Sequence, residues 1–155
     1  MRRSIEFPIK EIVPHAGRMC LLDRALEGDE DSLLAELTIR SDHIFYHSDG
    51  VGGWVGIEYM AQTVATWAGW HSRLRGENPK IGFLLGSRRY NCSRSFFRLG
   101  EKLRVEVKRI FQSENGLGQF DCTITIDDEQ VATAALTVFE PPTGKNFFDG
   151  TDNAE

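Results

Sequence analysis

A glutamate lies within a stretch of helix length whose other side chains are nearly all apolar or small. Glu58 belongs to the run GWVGIEYMAQTVATWAGW, and Gln62 follows it by one helical turn. An ionised carboxylate is costly to bury unless it is paired, hydrogen-bonded or protonated. Because residues four apart project from the same side of a helix, the acid and the amide are expected to lie together. Glu58 is therefore a candidate functional residue.

Two histidines just upstream indicate the chemistry in which this carboxylate would take part. His43 and His47 precede the run by a short loop. A histidine and a carboxyl group that converge on a narrow apolar space can transfer protons next to a substrate carbonyl group. One of the two groups takes a proton from the substrate and the other gives a proton to it. A metal site made of the three side chains is the weaker interpretation, because nothing in their spacing enforces coordination geometry. We predict no metal and no cofactor.

The bulk composition excludes several classes of protein. At 155 residues, with 41% hydrophobic and 26% charged residues, the chain is one globular domain by size. It is large enough to form a hydrophobic core without disulfides or structural metals. A formal net charge of -5 argues against a nucleic-acid partner, since dedicated nucleic-acid binders carry a basic excess.

Cysteine usage and the absence of long apolar spans indicate the compartment. Cys20, Cys92 and Cys122 are widely spaced and form no CxxC pair, so we expect neither disulfides nor structural zinc. The N-terminus lacks the apolar run of a secretory signal, and no span is long enough for a membrane helix. We predict a cytoplasmic protein with no membrane partner.

Hydrophobic periodicity predicts a long helix between two groups of strands. Alternation of apolar and polar side chains indicates half-buried strands, and polar turns such as SENG and DDEQ separate them. The predicted elements are strands at about Met19–Leu26 and Leu33–Ile39, a helix from about Trp54 to Arg75, and strands at Ile81–Gly86, Tyr90–Phe97, Leu103–Val107, Phe120–Ile126 and Val131–Phe139.

This order favours an α+β hotdog fold, in which a curved antiparallel sheet wraps around a long central helix. Only a wrapped sheet can bury a helix that is apolar on most of its sides. We predict a single hotdog domain over residues 1–140 and a flexible C-terminal tail over 141–155.

Three blocks of sequence resemble the hotdog-fold 3-hydroxyacyl-[acyl carrier protein] dehydratases of fatty-acid synthesis. The blocks are PHAGRMCLLDRALE, HSDG followed by GIEYMAQ, and GFLLG with FFRLGEKLRVEV. The loop between His47 and Glu58 is a few residues shorter than in that family, and Gly52 and Gly53 replace a Pro-Gly pair. This shortened variant looks most like the hotdog dehydratases of aryl-polyene type clusters, some of which serve as partner subunits.

The resemblance implies roles for individual residues. It makes His47 the catalytic base, with His43 as the alternative, and Glu58 the acid partner. Gln62 is expected to brace the loop and, with Gly53 and Trp54, to bind the substrate. Backbone N–H groups at Gly53 and Trp54 are expected to polarise the thioester oxygen. The family builds its sites between subunits, which implies a homodimer, a higher oligomer or a hetero-oligomer with a related hotdog subunit.

The same resemblance implies a substrate and leaves two other functions open. The expected substrate is a 3-hydroxyacyl thioester on the phosphopantetheine arm of an acyl carrier protein, dehydrated to a 2-enoyl thioester. A hotdog acyl thioesterase, whose helix carboxylate activates water, is the first alternative. A non-catalytic partner subunit of a dehydratase complex is the second.

Other notable side chains have two interpretations each. Trp54, Trp67, Trp70, Phe96 and Phe97 line an acyl tunnel or belong to the core. A basic stretch in this acidic chain would receive an acidic carrier protein or is an ordinary solvated strand face. Its members are Arg88, Arg89, Arg94, Arg98 and Lys102. His15 and His71 are expected to be structural.

Overall fold

A computed structural model describes residues 2–13, 17–78 and 83–139. The helices are α1 (Ile9–Ile12) and α2 (Gly56–Leu74), and short 3-10 turns occupy Gly17–Met19 and Gly53–Val55. The strands are β1 (Arg3–Ser4), β2 (Arg24–Gly28), β3 (Ser32–Thr38), β4 (Tyr46–His47), β5 (Gly50–Gly52), β6 (Phe83–Cys92), β7 (Phe96–Phe97), β8 (Lys102–Gln112), β9 (Leu117–Ile126) and β10 (Glu129–Phe139).

The main sheet is antiparallel and has the order β1-β2-β3-β8-β9-β10-β6. Helix α2 contacts β3, β8, β9, β10 and β6, so the sheet curves along the helix. The side chains of α2 that meet the sheet are buried, and they include Tyr59, Met60 and Trp67. The predicted α+β hotdog arrangement is therefore confirmed.

Strand alternation is observed where the sequence predicted it. Leu103, Val105 and Val107 of β8 are fully buried, whereas the alternate residues Lys102 and Arg104 are exposed. In β9 the same pattern buries Phe120 and Ile124. These side chains form the layer of the core on which α2 packs, because a strand presents every second side chain to one face.

Several predicted boundaries are corrected. The first predicted strand, which is β2, begins at Arg24 rather than near Met19, because the N–H of Leu21 is donated to a helix side chain instead of a neighbouring strand. The helix proper starts at Gly56, after a 3-10 turn. The strand expected at Ile81–Gly86 and the first part of that expected at Tyr90–Phe97 form one strand, β6, which accommodates the break as a bulge with Arg89 at φ 54°. The end of the second predicted strand, Phe96–Phe97, is instead the separate strand β7. Residues 81–82, His15 and the predicted tail lie outside the described residues.

Helix α1 was not predicted, because four residues are too few to show a period. It crosses α2 at Gly69, where an added Cβ would overlap the carbonyl oxygen of Ile12. Glycine at this position therefore lets the two backbones touch.

A small antiparallel sheet, β4-β5-β7, lies beside the main sheet and carries the histidine loop. Val51 and Phe97 form a cross-strand pair and are both fully buried. The Phe97 ring meets the Tyr59 ring of α2 at a centroid distance of 5.9 Å. The buried face of the small sheet thus packs on the N-terminal half of α2. In the described part of the chain no helix has the length and apolar character needed to cross a membrane.

Candidate active site

The first turns of α2 bring Glu58 and Gln62 together, as their spacing predicted. Glu58 is half-buried, and its Oε2 accepts a hydrogen bond from Nε2 of Gln62 at 3.1 Å. Glu58 lies in the first turn of the helix. The side chain that orients Glu58 thus belongs to its own helix.

Gln62 is fully buried and uses both ends of its amide. Its Oε1 accepts the backbone N–H of Leu21 at 2.9 Å, and its Nε2 donates to the carbonyl oxygen of Met19 at 2.8 Å as well as to Glu58. The amide therefore holds the segment before β2 against the helix. Because both of its N–H donors are used inside the chain, this geometry favours a bracing role over direct substrate binding.

His47 lies in β4 and faces away from the core of its own chain. Residues directly opposite in an antiparallel pair share a face, and successive residues alternate. The pair Tyr46 and Val51 belongs to the buried face, so His47 belongs to the other face, which carries the 37% exposed Phe96. The His47 side chain is exposed. The small sheet consequently separates this imidazole from the helix that bears Glu58.

His43 is held by both of its ring nitrogens. Its Nδ1 accepts the backbone N–H of Phe45 at 3.0 Å, so the proton of the neutral ring is on Nε2, which donates to the hydroxyl oxygen of Tyr59 at 2.9 Å. Burial lowers the pKa of His43, against an opposing effect of the nearby Asp42 carboxylate. With no lone pair available to a substrate, His43 does not fit the alternative role of base.

The backbone of Gly53 is occupied within the chain. Its N–H donates to the carbonyl oxygen of Ser95 at 2.9 Å, and its own carbonyl accepts the hydroxyl of Tyr90 at 2.5 Å. A Cβ at this position would overlap the carbonyl oxygen of Arg94. Gly53 is thus required for close packing, and its expected role as a donor to the thioester oxygen does not agree with this arrangement. The role expected of the Trp54 N–H stays a prediction.

The aromatic residues divide between the two interpretations that the sequence left open. Trp67, Trp70 and Phe97 are core residues. Trp54 is 65% exposed, lies over the backbone of Gly52 and meets Phe45 edge-on at a centroid distance of 5.5 Å. An exposed tryptophan in the turn before α2 contributes little to the core.

A cluster of cations, of which the sequence analysis named only Lys102, surrounds Glu36 on the outer face of the main sheet. The Glu36 side chain is only 5% exposed and contacts Arg24 at 2.6 Å, Arg104 at 3.6 Å and Lys102 at 4.0 Å. Burial alone would raise the pKa of Glu36, but the hydrogen bond and charge of Arg24, with the charges of Lys102 and Arg104, outweigh it and lower the pKa. Three exposed cations thus face one carboxylate.

The predicted basic stretch is only partly available as a surface. Both oxygens of Glu101 lie 2.6 Å from Nη2 of Arg94, and Glu101 also accepts the backbone N–H of Arg98 at 2.7 Å. Arg94 is therefore neutralised locally. The Arg88 side chain lies outside the described residues. Lys102 is the member of the stretch that joins the Glu36 cluster, to which we refer as the Glu36 surface: Arg24, Glu36, Lys102 and Arg104.

Comparison with known proteins agrees with this fold. The family model of the ApeP dehydratase matches residues 7–149, which is most of the chain. The chain belongs to the ApeP dehydratase family. The resemblance inferred from the three sequence blocks is thereby confirmed, and the ApeP-like chain is a hotdog dehydratase by family.

Solved structures resemble the ApeP-like chain over most of its length. A chain of the dehydratase heterocomplex ApeI:P from Xenorhabdus doucetiae is similar with a TM-score of 0.83 and 28% identity, and the match covers 90% of this chain and 94% of that one. None of the curated protein sequences gives a significant match.

More distant structures share the fold alone. One is a hypothetical thioesterase with coenzyme A from Streptococcus pneumoniae TIGR4, with a TM-score of 0.60, 14% identity and coverage of 76% of this chain and 84% of that one. Another is the protein smu.793 from Streptococcus mutans UA159, bound to acetyl CoA, with a TM-score of 0.60, 16% identity and coverage of 78% and 90%.

Proposed function

We propose that this protein dehydrates a 3-hydroxyacyl thioester, carried on an acyl carrier protein, to the 2-enoyl thioester. The observation that carries the proposal is the half-buried Glu58 in the first turn of α2, oriented by the fully buried Gln62. Membership of a dehydratase family agrees with elimination chemistry at this carboxyl group.

In the proposed reaction His47 is the base and Glu58 the acid. The neutral imidazole of His47 takes a proton from C2, which the thioester carbonyl acidifies, and the electron pair of that C–H bond forms the C2=C3 double bond. The C3–O bond breaks, and the leaving hydroxyl takes a proton from the carboxyl group of Glu58 and departs as water. Return of the proton from His47 to Glu58 restores both groups.

The base and the acid of one site belong to different subunits in this proposal. Within one chain His47 faces the exposed side of the small sheet, whereas α2 lies on its buried side. The likeness to a heterocomplex supports either a second copy of this chain or a related hotdog subunit as the neighbour.

Mixing two defective variants tests this arrangement. His47→Ala and Glu58→Gln proteins are each expected to be inactive, and a re-equilibrated mixture is expected to regain about a quarter of the wild-type rate if two copies form a dimer. If only a related subunit completes the site, each variant regains activity when that subunit carries the missing group. Activity in a monomeric fraction would contradict the proposal.

Product analysis separates the proposed reaction from thioester hydrolysis. The purified protein is incubated with a 3-hydroxyacyl thioester and, separately, with a saturated acyl thioester of the same length. Formation of enoyl thioester from the first without release of thiol from either supports dehydration. Thiol release from both substrates would support a thioesterase and overturn the proposal.

A further inference from the structure

The loop that carries His47 is attached to α2 through a buried side-chain pair outside the proposed catalytic groups. His43 Nε2 and Tyr59 Oη lie 2.9 Å apart, and the two rings meet edge to face at a centroid distance of 5.8 Å. Tyr59 is fully buried and directly follows Glu58 in the helix. One end of this hydrogen bond is therefore fixed next to the proposed acid.

The other end of the bond organises the loop. The backbone N–H of His43 donates to the carbonyl of Arg40, and the carbonyl of His43 accepts the N–H of Tyr46 at 2.9 Å. The imidazole Nδ1 accepts the N–H of Phe45, so one side chain closes the turn that enters β4. His47 is the residue that follows Tyr46, and its position depends on how this turn is held.

We propose that the His43–Tyr59 pair is a positioning clamp that fixes the histidine loop on α2 and so sets the place of His47 relative to the reacting carbon. The inference rests on the proposed function for its effect on catalysis. Its structural part, a loop held by one hydrogen bond to the helix, does not depend on the substrate. Displacement of a reacting group by about 1 Å lowers the rate by roughly 100-fold in the strongest cases.

Two substitutions cut the same bond from its two ends. Tyr59→Phe keeps the buried ring and removes the hydroxyl. His43→Asn keeps an acceptor for the Phe45 N–H, because asparagine closes the same turn through its side-chain oxygen, but it is too short to reach Tyr59. His71→Asn is the matched control, since His71 is also half-buried and bonded to a backbone carbonyl, that of Asp29, at the far end of α2.

The expected result is a fall in kcat of roughly 10- to 100-fold with little change in KM, equal in the two variants and no larger in the double variant. The control keeps the wild-type kcat. Losses that add in the double variant, or a Tyr59→Phe protein with wild-type kcat, would overturn the clamp.

Amide hydrogen exchange decides the structural part without turnover. Exchange over residues 43–47 is expected to accelerate in both clamp variants and to stay unchanged in His71→Asn, whereas the strands β8 and β9 keep their protection. Unchanged loop exchange in both clamp variants refutes the clamp even if the substrate assignment is correct. Accelerated exchange in a protein without dehydratase activity would keep the clamp and reject the proposed reaction.

Discussion

At the scale of single residues, Gln62 determines what the carboxylate of Glu58 can do. A buried amide that binds Glu58, Met19 and Leu21 at once leaves the carboxylate one preferred orientation. The oxygen of Glu58 that accepts the hydrogen bond from Gln62 is Oε2.

Replacement of Gln62 by leucine tests how much this network contributes to the fold. The substitution leaves the N–H of Leu21 and the carbonyl of Met19 without their partner, and a buried unsatisfied group costs about 1 to 3 kcal/mol. We expect the free energy of unfolding in urea to fall by roughly 2 to 4 kcal/mol. Gln130→Leu, at an exposed position in β10, is the control and is expected to change it by less than about 0.5 kcal/mol. Equal effects would contradict the bracing role.

The neutral state of His43 predicts a dependence of stability on pH. Burial lowers the pKa of His43 in the folded state below its ordinary 6.5, so the unfolded chain binds the proton more readily. The stabilisation is complete above about pH 6.5 and is lost as the pH falls from there towards the folded-state pKa. His71 contributes in the same direction, because burial also lowers its pKa.

Urea unfolding at about pH 7.5 and about pH 5.5 measures this dependence. His43→Asn is expected to lose less stability than wild type between the two values. The carboxylates with lowered pKa, Asp29, Glu36 and Glu101, titrate below this window and do not confound it. An unchanged pH dependence in the variant would contradict a lowered pKa of His43 in the folded protein.

The sequence predicted the residue pairs that are local and missed those that depend on tertiary contacts. Glu58 and Gln62 meet because a helix places them four apart, which is visible in the sequence. The N–H of Gly53 is bound by Ser95, and His43 is bound by Tyr59 across a loop, and neither partner follows from spacing. One sequence signal could have suggested the role of His43. A histidine in a turn can accept the backbone N–H two residues later with one ring nitrogen, which leaves the other nitrogen for a side chain elsewhere in the fold.

At the scale of elements, the hairpin β4-β5 needs glycine at position 50 for two reasons, its positive φ angle and its close contact with β7. Gly50 has φ +117°, and a Cβ on it would overlap the carbonyl oxygen of Phe97 in β7. Gly100 has φ +88° but open space around its missing Cβ. The two positions therefore share backbone strain and differ in steric contact.

Alanine substitutions at both glycines separate the two effects. Gly100→Ala is expected to cost about 1 kcal/mol of stability, through backbone strain, and to keep activity. Gly50→Ala must also move β7 away from β5, so we expect it to displace the loop of His47 and lower kcat by at least about tenfold. Comparable activity of the two variants would contradict the view that the small sheet positions His47.

Element prediction succeeded where strands are long enough to show a period. The alternation in β3, β8 and β9 identifies the sheet, whereas β4, β5 and β7 have two or three residues each and show none. The helix start was placed too early because Trp54 and Val55, which look helical by composition, form a 3-10 turn whose tryptophan is exposed.

At the scale of the whole molecule, the distribution of charge predicts where an acidic carrier protein docks. The chain carries a formal net charge of -5, yet on the Glu36 surface three exposed cations meet one buried carboxylate. This surface lies at the end of β3 from which the histidine loop leaves, since Ile39 and Glu101 bond there through their backbones. Carrier binding at this edge would bring a thioester arm towards that loop.

Neutralising two of these cations tests the docking surface. Lys102→Gln with Arg104→Gln leaves Arg24 on Glu36, so the buried carboxylate stays paired. We expect KM for a carrier-bound substrate to rise roughly tenfold, less at high salt, and KM for a small pantetheine thioester to stay constant. Lys108→Gln, on the same strand and also exposed, is the control. An equal rise for both substrates would reject a carrier-specific surface.

The central claim is that His47 and Glu58 together eliminate water from a 3-hydroxyacyl thioester, and the rate of enoyl thioester formation by wild type, His47→Ala and Glu58→Gln measures it most directly. The account predicts turnover by the wild-type assembly and a loss of at least about 100-fold in each variant, with folding unchanged by circular dichroism. Wild-type rates in either variant would contradict it.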